Sequence, residues 1–182
     1  MTAIAEPLTG SYIADPYHSS FEAELRHMGV GTFRTSFEDV HARLEALPAG
    51  GHRLTGVAQV ASIAIRGPQE FRAHVVEGQD FFDAGHHPEL RFASESVRFS
   101  EDGTVTVAGH LKMRGIERPV SATGAYRAPV EDPYGARRAA IDLAATIDRR
   151  DWGFAFQAPL PGGGEVLSWT VGLAIHLELV AD

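Results

Sequence analysis

Hydrophobic and polar residues alternate with a period of two through most of this 182-residue chain. Between Ser19 and His27, Phe21, Ala23 and Leu25 alternate with Glu22, Glu24 and Arg26, the pattern of a strand with one buried and one wet face. From Thr32 to Phe37, Phe33, Thr35 and Phe37 share a side, with Arg34 and Ser36 opposite. Val57, Gln59, Ala61, Ile63 and Ile65 form a third same-face series. Leu90–Val97 and Thr104–Met113 predict two more strands, the second with Val105, Val107, Gly109, Leu111 and Met113 together on one face. Ala139, Ile141, Leu143, Ala145 and Ile147 line a later strand. The clearest series is the last, in which Trp169, Val171, Leu173, Ile175, Leu177 and Leu179 alternate with mostly small or polar residues. Turn sequences separate these runs, among them Glu101-Asp102-Gly103, Pro133-Tyr134-Gly135 and Pro161-Gly162-Gly163-Gly164.

Two stretches leave the pattern. Gly67–Phe82 places Phe71, His74, Val75 and Gly78 at helical spacing behind a proline suited to a first turn. It predicts a short helix closed by Gly78, then a turn carrying Phe81 and Phe82. His41–Leu47 has helical propensity but also continues a strand, and local sequence leaves both open. Seven or eight antiparallel strands with one or two short helices fit a sandwich or a closed barrel. No linker, composition shift or repeat divides residues 1–182, so one domain is expected.

Composition narrows the function classes. Acidic residues number 24 against 16 basic, a formal charge of −8, which disfavours nucleic acid and anionic lipid surfaces as main partners. An apolar content of 44% suffices for a real core. The absence of cysteine removes disulfides, thiolate metal sites and cysteine nucleophiles. No run of about 18 apolar residues is present, so no transmembrane helix is expected. The start MTAIAEPLTG has neither a positive n-region nor an apolar core of signal length. Cytoplasmic placement is the resulting expectation.

Enzyme motifs fail in turn. Gly29-Val30-Gly31 is followed by Thr32-Phe33-Arg34, where a dinucleotide loop needs a third glycine and a helix. There is no GxxxxGK[ST], HExxH or GxSxG. Among nine histidines the densest group is His86-His87-Pro88-Glu89; adjacent histidines on extended chain point apart, and a solvated turn explains them better than a metal site. His110 and His176 fall on polar strand faces. What remains is an excess of apolar strand face. Phe21, Phe33, Phe37, Phe92 and Trp169 are candidates for an inward set, beside the small Ala23, Ala61, Gly109, Ala139 and Ala145. Large and small residues together fit either a ligand cavity or a core that side chains fill.

A set of motifs carries a family resemblance. Asp15-Pro16-Tyr17-His18-Ser19, then Phe21 and Arg26-His27-Met28-Gly29-Val30, resemble the start of the YceI family of lipid-binding proteins. Thr32-Phe33-Arg34, Phe37 and Ser62-Ile63 continue it. Asp80-Phe81-Phe82-Asp83 and Pro88-Glu89-Leu90-Arg91-Phe92 follow in order. Gly109-His110-Leu111-Lys112-Met113-Arg114-Gly115 with Arg118-Pro119-Val120 is similar to a later hairpin of the family. Asp148-Arg149-Arg150-Asp151-Trp152-Gly153-Phe154 is similar to its arginine–aspartate–aromatic–glycine signature. The likeness runs from about Tyr12 to Val180. Asp39-Val40 and the long Pro159–Gly164 stretch depart from the family pattern, both at a barrel rim.

The resemblance implies an all-β, extended, lipocalin-like, eight-stranded antiparallel barrel that holds a long-chain amphiphile and has no catalytic residues. The implied ligand is an isoprenoid, an isoprenoid quinone or a fatty-acyl lipid, with no other cofactor and no metal. Its apolar lining is expected from Phe21, Leu25, Phe33, Phe37, Ile63, Phe82 and Phe92, and from Val107, Leu111, Ile147, Phe154, Trp169, Val171 and Leu173. His18, Ser19, His27 and Arg150 are the polar candidates for the head group. For His18 and Ser19 the competing expectation is a tie at the start of the first strand, and for Arg150 a local ion pair. The resemblance allows a homodimer, for which the sequence locates no interface. The alternative function is a barrel with a filled core that serves protein interaction or a stress response without lipid.

Overall fold

The computed structural model describes residues 8–182; the leader expectation drawn from the first residues lies in part outside them. The alternating segments become strands β1 (Ser11–Ala14), β2 (Ser20–His27), β3 (Gly31–Phe37), β4 (Val40–Ala46), β5 (His52–Gln59) and β6 (Ile63–Ala64). After helix α1 (Gln69–Glu77) come β7 (Glu89–Phe99), β8 (Thr104–Met113), β9 (Ile116–Glu131), β10 (Arg137–Asp148) and β11 (Leu167–Ala181). Strands β4, β5, β7, β8, β9, β10 and β11 pair in that order, and β1 bonds both β4 and β11, which closes an eight-stranded antiparallel barrel. Past Ala14 the chain turns and β2 takes over along β11, so β2, β3 and β6 prolong the wall that β1, β4 and β5 began. Closure removes the unpaired edges that an open sheet would expose.

The His41–Leu47 question resolves to strand. β4 pairs on both sides, with Leu44 opposite Tyr12 and Leu54, and two ladders outweigh a helical propensity of a few tenths of a kcal/mol per residue. The predicted Val57–Ile65 face is corrected. A 3-10 turn at Val60–Ser62, held by Ser62 Oγ donating to the Gln59 carbonyl (2.7 Å), breaks the phase. Leu54, Ala58, Val60 and Ile63 are the buried residues there. Strand β9 is not evident from the alternation, because Pro119 and Pro129 interrupt its run and two of its inward positions, Ala122 and Gly124, are small. Helix α1 stands where its spacing placed it, closed at Gly78, with Pro68 just before its first turn. Among the described residues no helix is long and apolar enough to cross a membrane.

The interior divides in two. At the β1 end Tyr12, Leu44, Val105, Ile141 and Leu179 are essentially inaccessible and pack with Leu54, Tyr126 and Leu177 into a solid core. At the other end α1, the turn carrying Phe81 and Phe82, and the stretch from Arg149 to Val166 bridge the gap between β6 and β7. Trp152, 2% exposed, fixes that cover by donating Nε1–H to the Leu111 carbonyl at 3.0 Å.

Two strand glycines let neighbouring backbones approach closely, Gly109 at the Ser94–Ser96 bulge and Gly124 within the regular β9–β10 ladder. A Cβ on Gly109 would stand 2.6 Å from Ser94 Cα, and one on Gly124 would stand 2.7 Å from the Asp142 carbonyl carbon. Neither backbone neighbour can rotate away. Gly124→Ala is therefore expected to lower stability by about 3 kcal/mol in denaturant unfolding. Gly162→Ala, with open space around it, is expected to stay within about 0.5 kcal/mol.

Candidate functional site

The hollow end of the barrel encloses a cavity of about 440 Å³, inside the 300–1,000 Å³ span of ordinary ligand pockets. A second hollow of about 110 Å³ lies deeper. Phe21, Leu90, Leu111 and Leu173 border both. Inward positions of β2 and β3 supply one wall of the larger cavity, through Phe21, Ala23, Leu25, Phe33, Thr35 and Phe37. The facing wall comes from Leu111 and Met113 on β8, Ile147 on β10, and Val171 and Leu173 on β11. Val75, Phe81, Phe82, Phe154 and Phe156 form the covered end. Aromatic contacts hold it: Phe82 meets Phe37 and Phe154 edge-on at 5.9 and 4.9 Å, and Phe81 stacks on Phe156 at 4.7 Å. The exposed lining residues His27, Arg66 and Phe71 mark the opening.

These features have counterparts in known proteins. A model of the YceI-like domain matches residues 12–179. The chain belongs to the YceI-like family. A Pseudomonas putida relative called UPF0312 protein is 24% identical over 161 residues, covering 88% of this chain and 80% of its own. BcnA of Burkholderia cenocepacia superposes with a TM-score of 0.71 at 21% identity, over 93% of this chain and 99% of its own. A polyisoprenoid-binding domain from Saccharophagus degradans gives 0.69 at 12% identity, over 96% and 100%. At such identities the superpositions speak for the fold.

On this YceI-like barrel, the expected apolar residues are placed as follows. Phe21, Leu25, Phe33, Phe37, Ile63 and Phe82 line the larger cavity, as do Leu111, Ile147, Phe154, Val171 and Leu173. Phe92 and Val107 border the deeper one. Trp169 lines neither, which corrects its expected inward position. The ladder between β11 and β2 slips there, so that Leu167 pairs with His27 and Val171 with Leu25. The bulge carries Trp169 out of the alternation and under two guanidinium groups, Arg149 at 4.2 Å and Arg150 at 5.2 Å from the ring centre.

Of the polar candidates, only His27 lines the cavity. Ser19 Oγ instead accepts the Glu178 N–H (3.1 Å) where the chain leaves β1 for β2. His18 Nδ1 lies 3.1 Å from Asp15 at the same junction. Arg150 bonds Asp148 on the outside, its Nε 2.9 Å from Oδ1. The neighbouring Arg149 is the residue that sequence reasoning missed. It lines the cavity, is 5% exposed, and donates from Nε to Ser168 O (3.0 Å) and from Nη2 to Phe156 O (2.8 Å). Burial holds its pKa below the usual guanidinium value. Its signal was present: it continues the inward series Ala139, Ile141, Leu143, Ala145 and Ile147 at the same spacing of two, one step past the end of the strand.

The His86-His87 turn falls in no grouping of three metal-ligand side chains among the described residues. His86 Nδ1 sits 2.9 Å from Asp83, and among the described residues the only grouping with metal-ligand spacing is Asp15, His18 and Glu178. A cation already sits there: Arg138 reaches Asp15 (2.8 Å), Asp132 (2.8 Å) and Glu178 (2.7 Å), tying the turns after β1 and β9 to strand β11. The Arg138 hydrogen bond, aided by the Tyr17 N–H, lowers the Asp15 pKa to about 2, and Arg138 likewise lowers that of Asp132. Depressed carboxylates add stability above their unfolded pKa near 3.9 and lose it as pH falls through the folded value. Melting temperature is therefore expected to drop steadily from about pH 4 to pH 2. Asp15→Asn is expected to be less stable at neutral pH and to show a shallower acid slope over that window in thermal unfolding.

Proposed function

We propose that this protein binds the tail of a long-chain amphiphile inside its barrel, without catalysis, for transport, storage or sequestration. The observation that carries this reading is the apolar cavity of about 440 Å³, which shares Phe21, Leu90, Leu111 and Leu173 with a second hollow of about 110 Å³. A filled interior, which the protein-interaction alternative requires, is not what the hollow half presents. The dry lining suits an alkyl or isoprenoid tail, each CH₂ of which gains roughly 0.8 kcal/mol on leaving water. The family membership and a structural neighbour that is a polyisoprenoid-binding domain support the same reading. An isoprenoid, an isoprenoid quinone and a fatty-acyl chain all satisfy the tail requirement, because such a wall discriminates by shape and length more than by chemistry.

Solvent extraction of purified protein followed by mass spectrometry is expected to yield a stoichiometric long-chain lipid, or delipidated protein is expected to take up a polyprenyl or fatty-acyl probe. An empty barrel that takes up neither contradicts the proposal. Ala23→Phe, which pushes a ring into the larger cavity between Phe21 and Leu25, is expected to weaken probe uptake at least about tenfold, a loss of 1.4 kcal/mol or more. Its melting temperature reports separately on the fold.

A further inference from the structure

The cavity that the proposed function assigns to a tail also carries an electrostatic signature. The chain as a whole has a formal charge of −8, yet no aspartate or glutamate lines either hollow. The charged lining residues are two arginines, Arg66 and Arg149. Arg66, exposed at the opening, makes no hydrogen bond or ion pair among the described residues. Arg149 is 5% exposed and bonds only backbone carbonyls, those of Phe156, Leu167 and Ser168, with its Nη1 buried and unpartnered. Its neighbour Asp148 is taken by Arg150 on the outer side, and Glu165 acts on Arg149 only through its field, with no bond to it. Carbonyls and the Trp169 ring satisfy part of a guanidinium but carry no net negative charge. A buried cation with no carboxylate bonded to it is costly. In low-dielectric walls its field is focused into the cavity rather than screened. His27 and Thr32, which also line the opening, add neutral hydrogen-bonding capacity.

We propose, on the basis of the tail-binding reading, that this barrel selects amphiphiles with an anionic oxygen head, a carboxylate or a phosphate. The head sits in the positive field between Arg66 at the opening and Arg149 in the wall, and the tail runs past Phe21 and Leu111 into the deeper hollow. Quinone and alcohol heads gain only neutral hydrogen bonds there, whereas a charged pair adds a charge-assisted one.

The test is competition. Delipidated protein carrying the uncharged reporter N-phenyl-1-naphthylamine is titrated near neutral pH with hexadecanoate, hexadecyl phosphate and hexadecanol, which share one tail. The two acids are expected to displace the reporter at least about tenfold more tightly than the alcohol, and added salt is expected to shrink that ratio. Arg66→Gln is expected to reduce the acid-to-alcohol ratio at least about threefold, and Arg66→Lys to keep it. For Arg149→Gln, which also loses carbonyl bonds, the ratio is again the readout, because a merely looser fold weakens acid and alcohol alike. Equal displacement by acid and alcohol, or a ratio unchanged in both glutamine variants, overturns the head-group assignment and leaves tail binding standing. Displacement by none of the three overturns the tail-binding reading beneath it.

Discussion

Strand β11 pairs along its length with β10 and divides its other edge between two partners, β2 over Val171–His176 and β1 over Leu179–Ala181. That shared edge closes the sheet. Once the ladder is closed, each of the eight barrel strands has neighbours on both sides, and only the β3–β6 edge of the prolonged wall is left to the cover. The interior then no longer has to be packed everywhere for the wall to stand. Tyr12, Leu44, Ile141 and Leu179 concentrate dense packing at the end where β1 sits, and the Arg138 network ties the turns outside it. The opposite end can stay hollow because its cover rests on a few aromatic contacts and the Trp152 hydrogen bond.

The division has an energetic logic. Apolar side chains that face a void lose dispersion contacts on that side, a cost that a tail of suitable bore returns when it enters. Affinity on this account comes from the tail, at roughly 0.8 kcal/mol per methylene removed from water. Selectivity among heads, on the proposed reading, comes from Arg66 at the opening and Arg149 in the wall. Arg149 belongs to both roles, since its carbonyl bonds brace the start of β11 and its unbalanced charge colours the cavity.

Where alternation ran unbroken, the chain declared its inner face directly. Val105, Val107, Leu111 and Met113, and then Ile141, Leu143 and Ile147, all point inward as their spacing required. Errors arose where the backbone changes phase, which is invisible to a period-two count. The 3-10 turn at Val60–Ser62 reset the face after β5, and the bulge before Val171 expelled Trp169. Arg149, by contrast, continues the unbroken inward series of β10, and its charge rather than a change of phase hid it. Strand β9 was hidden by its two prolines, which the ladder tolerates. Pro119, for one, sits opposite His110 while neighbouring residues carry the hydrogen bonds. His18 and Ser19 matched a family motif yet serve the crossover from β1 to β2, a role set by a partner, Glu178, some 159 residues away in sequence.

The central claim is that the hollow half of this barrel is a tail site. A crystal structure of the protein grown with hexadecanoate tests it most directly. Continuous density is expected for one extended chain, its carboxylate beside Arg66 and Arg149 and its methyl end reaching the side chains of Phe92 and Val107. Side chains collapsed into an empty interior, or lipid density only on the outer face of the sheet, would contradict it.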